Sequence, residues 1–189
     1  MRHLDDIPRV VLDADVLVHA WTTDVILSLA DAGLLEPVWS PAIMDEALKA
    51  ICRVRPKARK QALAYLGAMR AAFPLACQSA EVGMPDVVLP DPNDLHVVGT
   101  ALIANAQAIV TYNTKDFPPE ALSSLGIVAL SPDRFLTALA EEYEGAVLTT
   151  MRSLISQKHH PPRTSKEESA GLTKNHLDEY ARTLERLGL

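Results

Sequence analysis

Asp13, Glu46, Asp94 and Asp116 are the residues of this 189-residue chain whose types and settings best suit chemistry. Asp13 closes the run Arg9-Val10-Val11-Leu12, and a carboxylate directly after buried strand residues is expensive unless paired or bound to a cation. Glu46 stands one turn into a helix opened by Ser40-Pro41. Asp94 stands in the first turn of a helix opened by Asp91-Pro92. Asp116 follows the apolar strand Ala108-Ile109-Val110-Thr111. In open parallel sheets, ligands bind beyond the carboxyl ends of the strands, where strand ends and helix starts converge. Several carboxylates gathered there stay ionised together only when a cation offsets their repulsion. An oxygen-only set suits Mg2+ or Mn2+, which activate water and neutralise charge at a phosphodiester.

Each acid also has a simpler role to set against this one. Asp91 reads as a helix cap, and Asp94 as a first-turn acid satisfying helix N–H groups. Glu46 alone fits any exposed helix acid, and Asp116 alone fits a cap for a short helix near Pro118. Asp15 shares the loop of Asp13 and fits a ligand, a cap for the next helix, or both.

The elements that must position these residues alternate. Strands are expected over 9–12, briefly at 37–39, over 108–111 and over 127–130. Helical spacing covers 22–33, with Gly33 as the stop. Ser40-Pro41 starts a helix that carries Ile43, Ala47, Leu48 and Ile51 until Pro56 breaks it, and a second helix runs to about Phe73. A helix follows Asp91-Pro92 through Val98, Ala101, Leu102 and Ala106, and Ser131-Pro132 starts another. Strands alternating with helices imply an α/β sandwich with a mainly parallel sheet. After Ala140 no strand signal remains. Residues 145–157 read as helix, 159–171 as a polar loop with paired prolines, and 174–187 as an amphipathic helix. Leu177, Tyr180, Leu184 and Leu187 share one face of that last helix, and packing on the chain's own core is the default expectation.

Bulk properties exclude several classes. A hydrophobic content of 48% fits a globular protein that buries a core without staples. Cys52 and Cys77 have no metal-ligand spacing and read as reduced core thiols. The start MRHLDDIPRV lacks the apolar stretch of a secretory leader, and no apolar run approaches a membrane span. The expectation is therefore a cytoplasmic protein. The net charge of −6 argues against a general polyanion binder. The bases are nevertheless concentrated. Between Ala47 and Ala80 there is no acid, while Lys49, Arg53, Arg55, Lys57, Arg59, Lys60 and Arg70 all lie there. They form either an arm for nucleic acid or the solvated faces of two helices.

Four stretches taken together resemble the PIN-domain ribonucleases, especially the VapC-type toxins of bacterial toxin–antitoxin pairs. They are VVLDADVLV (10–18), WSPAIMDEALKAI (39–51), PDPNDLHVVGTALIANAQAIVTYNTKDFP (90–118) and IVALSPDRFL (127–136). The third is the most specific, since it joins an acidic helix start to a strand and to the ending Asn-x-x-Asp-Phe. The resemblance implies a PIN-like three-layer sandwich over 1–136, followed by a helical C-terminal extension over 137–189 that does not fold alone. It implies an endoribonuclease using Mg2+ or Mn2+, with Asp13, Glu46, Asp94 and Asp116 as its acidic quartet. Asp15, Asp91, Thr111 and Asn113 fall at secondary positions of that site. Arg53, Arg55, Lys57, Arg59, Lys60, His96 and Lys115 are the candidates for RNA contact; His96 also fits a plain helix-face residue. Asp15 stands where many members carry Asn, and Leu95 where near relatives carry Arg. The implied partners are RNA, a cognate antitoxin and a second copy of the chain. The competing readings are a non-catalytic binding module on the same fold and a haloacid-dehalogenase-like phosphatase. The latter fits Asp13-Ala14-Asp15 but matches Thr-Tyr-Asn-Thr-Lys-Asp poorly.

Overall fold

The computed structural model describes residues 7–78, 85–158 and 164–189. Strand β1 (Arg9–Leu12) is short, apolar and β-branched, and its last three residues are fully buried. It leads directly into α1 (Ala14–Val18) and α2 (Ala20–Asp31). Strand β2 (Glu36–Val38) follows, then α3 (Pro41–Val54). Ser40 caps α3 by accepting the Ile43 N–H, with Pro41 in the first turn where its missing donor costs nothing. A single 3-10 turn at Pro56–Ala58 separates α3 from α4 (Arg59–Ala72).

A second 3-10 turn, Pro92–Asp94, opens α5 (Leu95–Ala104), which Asn105 ends in the left-handed conformation. Strand β3 (Ala108–Val110), α6 (Pro119–Leu122) and β4 (Val128–Leu130) complete the α/β portion. Helices α7 (Pro132–Glu142), α8 (Glu144–Ser156), α9 (Ser165–Lys174) and α10 (Asp178–Leu187) close the chain.

The four strands form one sheet in the order β2-β1-β3-β4, and every pairing is parallel. The ladder continues one residue past the strands. Asp13 N–H donates to Val110 O at 3.1 Å, and Thr111 N–H donates to Leu130 O at 3.0 Å. Asp13 and Thr111 are thereby lined up side by side at the carboxyl edge of the sheet.

Three expectations need correction. Residues 14–18 form a helix that the sequence pattern did not announce, because Asp13 turns the chain by accepting the Ala14 N–H on its own side chain at 2.6 Å. Of the loop expected over 159–171, residues 159–163 lie outside the described residues, and 165–171 are helical. A capping box between Thr164 and Glu167 starts α9 there. The helix expected over 174–187 begins later, at Asp178. Helix α9 ends at Lys174, and His176, at φ 61°, reverses the chain into α10. The amphipathic face does pack inward: Leu177, Tyr180 and Leu184 are buried in the same hydrophobic cluster as β1 and β3, joined by Leu172 of α9, while Leu187 is half-buried against it. Cys52 and Cys77 are half-buried and unpaired. Among the described residues, no helix is long and apolar enough to cross a membrane.

Candidate active site

The carboxyl edge of the sheet opens into a cavity of about 560 Å³. Asp13 and Asp15 reach it from the β1–α1 junction, Glu46 from α3, Asp94 from the turn before α5, and Asp116 from the turn after β3. Asp91 and Asn113 also line it. All four acids of the expected quartet therefore face one space, although as many as 103 residues separate them in the chain.

The floor is held by hydrogen bonds among its buried groups. Asp13, 9% exposed, accepts Ala14 N–H on one oxygen and the Thr111 hydroxyl on the other at 2.8 Å. Thr111 Oγ1 also lies 3.1 Å from Asp15 Oδ2, and it accepts the Asn113 N–H at 3.0 Å. Asp15 Oδ2 takes a further bond from Tyr112 N–H at 3.0 Å. Asn113 in turn donates its side-chain amide to Asp116. Thr111 itself is fully buried beneath the cavity and holds the floor together.

The simpler roles sort themselves by the same contacts. Asp91 is a cap: its side chain accepts from both the backbone and side-chain nitrogens of Asn93 at 2.9 Å. Asp94 makes no capping bond, and the short helix α6 is preceded by Pro118 and has no side-chain cap from Asp116. Both acids are therefore left facing the cavity. His96 sits beneath its wall with Nε2 3.3 Å from Glu46 Oε1.

Burial, with the neighbouring charges behind it, shifts the protonation of these groups. Burial pushes the Asp13 carboxyl above its ordinary value, an effect the Thr111 and Ala14 bonds oppose. Burial, and then the charge of Asp13, raise Asp15 to about 6. Burial raises Asp94 to about 6 as well, reinforced by the charges of Asp13, Asp91, Asp116 and Glu46.

The donor set fits a hard divalent cation. It is built of oxygens, it carries the repulsion a cation would offset, and Asp15 Oδ1 is shielded from solvent without a hydrogen-bond partner. Among the described residues, no three His, Cys, Asp or Glu side chains are drawn into a closed grip on one point. The acids instead line walls with room for an ion together with waters or a phosphate.

The basic arm divides. Lys49 and Arg53 line the cavity itself. They fall three and seven residues after Glu46, so all three share one face of α3. Lys49 is absent from the contacts the resemblance implies, and its three-residue spacing from Glu46 is the sequence signal that marks it. Asn93, which also lines the cavity, carried no sequence signal beyond its neighbours. Arg55, Lys57, Arg59 and Lys60 lie exposed at and beyond the end of α3, and Lys115 is exposed on the turn after β3; none lines the cavity.

The family model described as PIN domain matches residues 9–115, more than half of the chain. A relative, Putative ribonuclease VapC50 of Mycobacterium tuberculosis (strain ATCC 25618 / H37Rv), is 38% identical over 71 residues. The match covers 38% of this chain and 42% of that protein's length. No solved structure matches the chain.

Proposed function

The chain belongs to the PIN-domain family, and from that premise we propose that it is a divalent-metal-dependent endoribonuclease. The observation that carries the reading is the convergence of Asp13, Glu46, Asp94 and Asp116 on one cavity whose wall also bears Lys49 and Arg53. The name of the relative adds support from a second direction.

Asp13, Asp94, Asp116 and Glu46 would hold the ion, with Asp15 beside them. When bound, Mg2+ or Mn2+ supplies Lewis-acid charge at the scissile phosphate and lowers the pKa of water. The protein's own groups do the rest. Thr111 and the backbone of Ala14 fix both oxygens of Asp13, so its orientation is set before substrate arrives. Lys49 and Arg53 offset the negative field and draw the RNA backbone along α3 toward the acids. A carboxylate of the set takes the proton from the attacking water. Hydrolysis then leaves a 5′-phosphate and a 3′-hydroxyl.

We further read the protein as the cytoplasmic toxin of a toxin–antitoxin pair, acting as a homodimer and restrained by a small antitoxin. Residues 137–189 serve as an appendage that does not fold alone, since Leu172, Leu177, Tyr180 and Leu184 complete the core begun by β1 and β3.

The test is cleavage of end-labelled RNA with Mg2+, with Mn2+ and with chelator, for wild type and Asp94→Asn. Cleavage that depends on the added ion and disappears in the variant is expected. Equal cleavage by the two proteins, or cleavage in chelator, would overturn the reading.

A further inference from the structure

Tyr112 joins two parts of the molecule that the nuclease reading leaves unconnected. Its backbone N–H belongs to the acidic floor, where it donates to Asp15 Oδ2 at 3.0 Å. Its ring leaves that floor and stacks tilted on the His19 ring, with centroids 4.6 Å apart. At the tip, the hydroxyl lies 2.7 Å from Thr22 Oγ1 and donates to the backbone carbonyl of Asn175 at 3.1 Å. Asn175 sits in the turn between α9 and α10, in the C-terminal extension.

That carbonyl is rigidly presented. Asn175 N–H bonds back to the carbonyls of Gly171 and Leu172, and its side-chain amide donates to Gly171 O at 2.8 Å. The next residue, His176, holds a left-handed φ of 61°, a conformation non-glycine residues adopt only when their surroundings impose it. Helix α9 is pinned in turn to α2. Trp21 Nε1 donates to the fully buried Glu168 at 2.9 Å, and Gly171 lies so close to the Trp21 indole that a Cβ there would overlap the ring. Helix α10 is pinned to α7, because Asp133 accepts the N–H groups of Glu179 and Tyr180 at 3.1 and 2.8 Å.

We propose that α9 and α10 are part of the active-site scaffold, bracing the acidic floor through the Tyr112 hydroxyl, with Tyr112 as a positioning residue. The segment Thr111-Tyr112-Asn113 carries three consecutive groups of the floor, on Asp13, Asp15 and, through Asn113, Asp116. Its only long side chain is anchored in the extension. Anchoring the tip limits how far the Thr111 hydroxyl and the Tyr112 N–H can drift from the acids that repel one another around them. Outer partners of this kind set the affinity of a metal site without touching the ion. The proposal rests on the metal-site reading given above.

Two variants approach the brace from its two ends. Tyr112→Phe keeps the ring on His19 and removes the hydroxyl. Gly171→Ala leaves Tyr112 intact and pushes α9 off Trp21. Mn2+ binding to the purified chain, followed by electron paramagnetic resonance, should weaken roughly ten-fold, the low end for an outer partner of a metal site, in Tyr112→Phe while its circular-dichroism spectrum stays that of wild type. RNA cleavage should lose kcat with KM unchanged, because the RNA-facing bases of α3 are untouched. Gly171→Ala, where folded, should weaken Mn2+ binding in the same direction, and the double variant should lose less than the two effects combined, as for two cuts in one linkage. Wild-type Mn2+ affinity in a folded Tyr112→Phe overturns the proposal, as does a double variant that loses the full combination. Wild-type protein that takes up no Mn2+ at all overturns the metal-site reading and the proposal with it, so the two failures are told apart by the wild-type titration.

Discussion

Thr111 donates its hydroxyl proton to Asp13 across 98 residues of chain, at 2.8 Å and out of contact with solvent. The two sit at the same level because β1 and β3 are adjacent and in register, Leu12 opposite Val110. One hydroxyl thus ties the ends of the two central strands together at the point where the acids gather.

Replacing that hydroxyl by a methyl in Thr111→Val leaves a buried carboxylate short of one donor. A loss of about 1–3 kcal/mol is expected at neutral pH, the range for removing a hydrogen bond to a charged buried group. The urea midpoint measures it, and Mn2+ affinity should fall in parallel. A midpoint equal to that of wild type would mean that the bond contributes nothing net.

Asp94→Asn should separate stability from activity. Burial, reinforced by the charges of four other acids, raises the Asp94 carboxyl to about 6, so at pH 7.5 its charge works against the folded state. Removing the charge is expected to raise the melting temperature of chelated protein while lowering cleavage by at least roughly 100-fold. A variant that melts lower than wild type in chelator contradicts a net cost of the ionised Asp94 in the folded state.

The same groups set a pH dependence. Asp15 and Asp94 both titrate near 6 in the folded chain against an ordinary value of 3.8. A folded-state pKa raised in this way contributes stability that is fully present below about 3.8 and is lost as pH rises through about 6. Ion-free protein should therefore melt at a higher temperature at pH 5 than at pH 7.5, so far as these two groups decide it. Added Mg2+ or Mn2+ should stabilise more at pH 7.5 than at pH 5, because protons compete with the ion for the same oxygens. Thermal melts with and without chelator at the two pH values check both signs.

The basic arm should divide functionally as it does spatially. Lys49 and Arg53 line the cavity, whereas Arg55, Lys57, Arg59 and Lys60 do not. Lys49→Ala with Arg53→Ala is expected to raise KM for RNA and to reduce the log–log salt slope of binding by roughly 1.4, two phosphate contacts on a single strand. Neutralising the other four should weaken long-RNA binding with a smaller effect on cleavage of a short oligonucleotide. Equal effects of the two sets on the short substrate would return Lys49 and Arg53 to the solvated face of a helix.

The sequence by itself determined the alternation of strands and helices, the parallel sheet, and which acids stand at strand ends and helix starts. Those features are local: Val10-Val11-Leu12 and Ile109-Val110 fit buried strands, and Ser40-Pro41 or Asp91-Pro92 announces a helix within two residues. The capping box Thr164-x-x-Glu167 was legible too, but the polar, proline-rich stretch before it masked the signal.

Only the tertiary structure decided the rest. It sorted Asp91 into a cap and left Asp94 and Asp116 free to face the cavity, because capping depends on which N–H groups lie within 3 Å once the chain has turned. It selected Lys49 and Arg53 from seven similar bases, since only their turn of α3 faces the acids. It also carried Tyr112 from the floor of Asp15 to a carbonyl 63 residues later, a pairing with no periodicity to betray it. For Asp13, Glu46, Asp94 and Asp116, the sequence supplied four charges, and the register of β1 on β3 with the helices beyond them made of those charges one site. Repulsion between like charges falls off with distance, so four acids become a cation site only when folding brings them to the same edge.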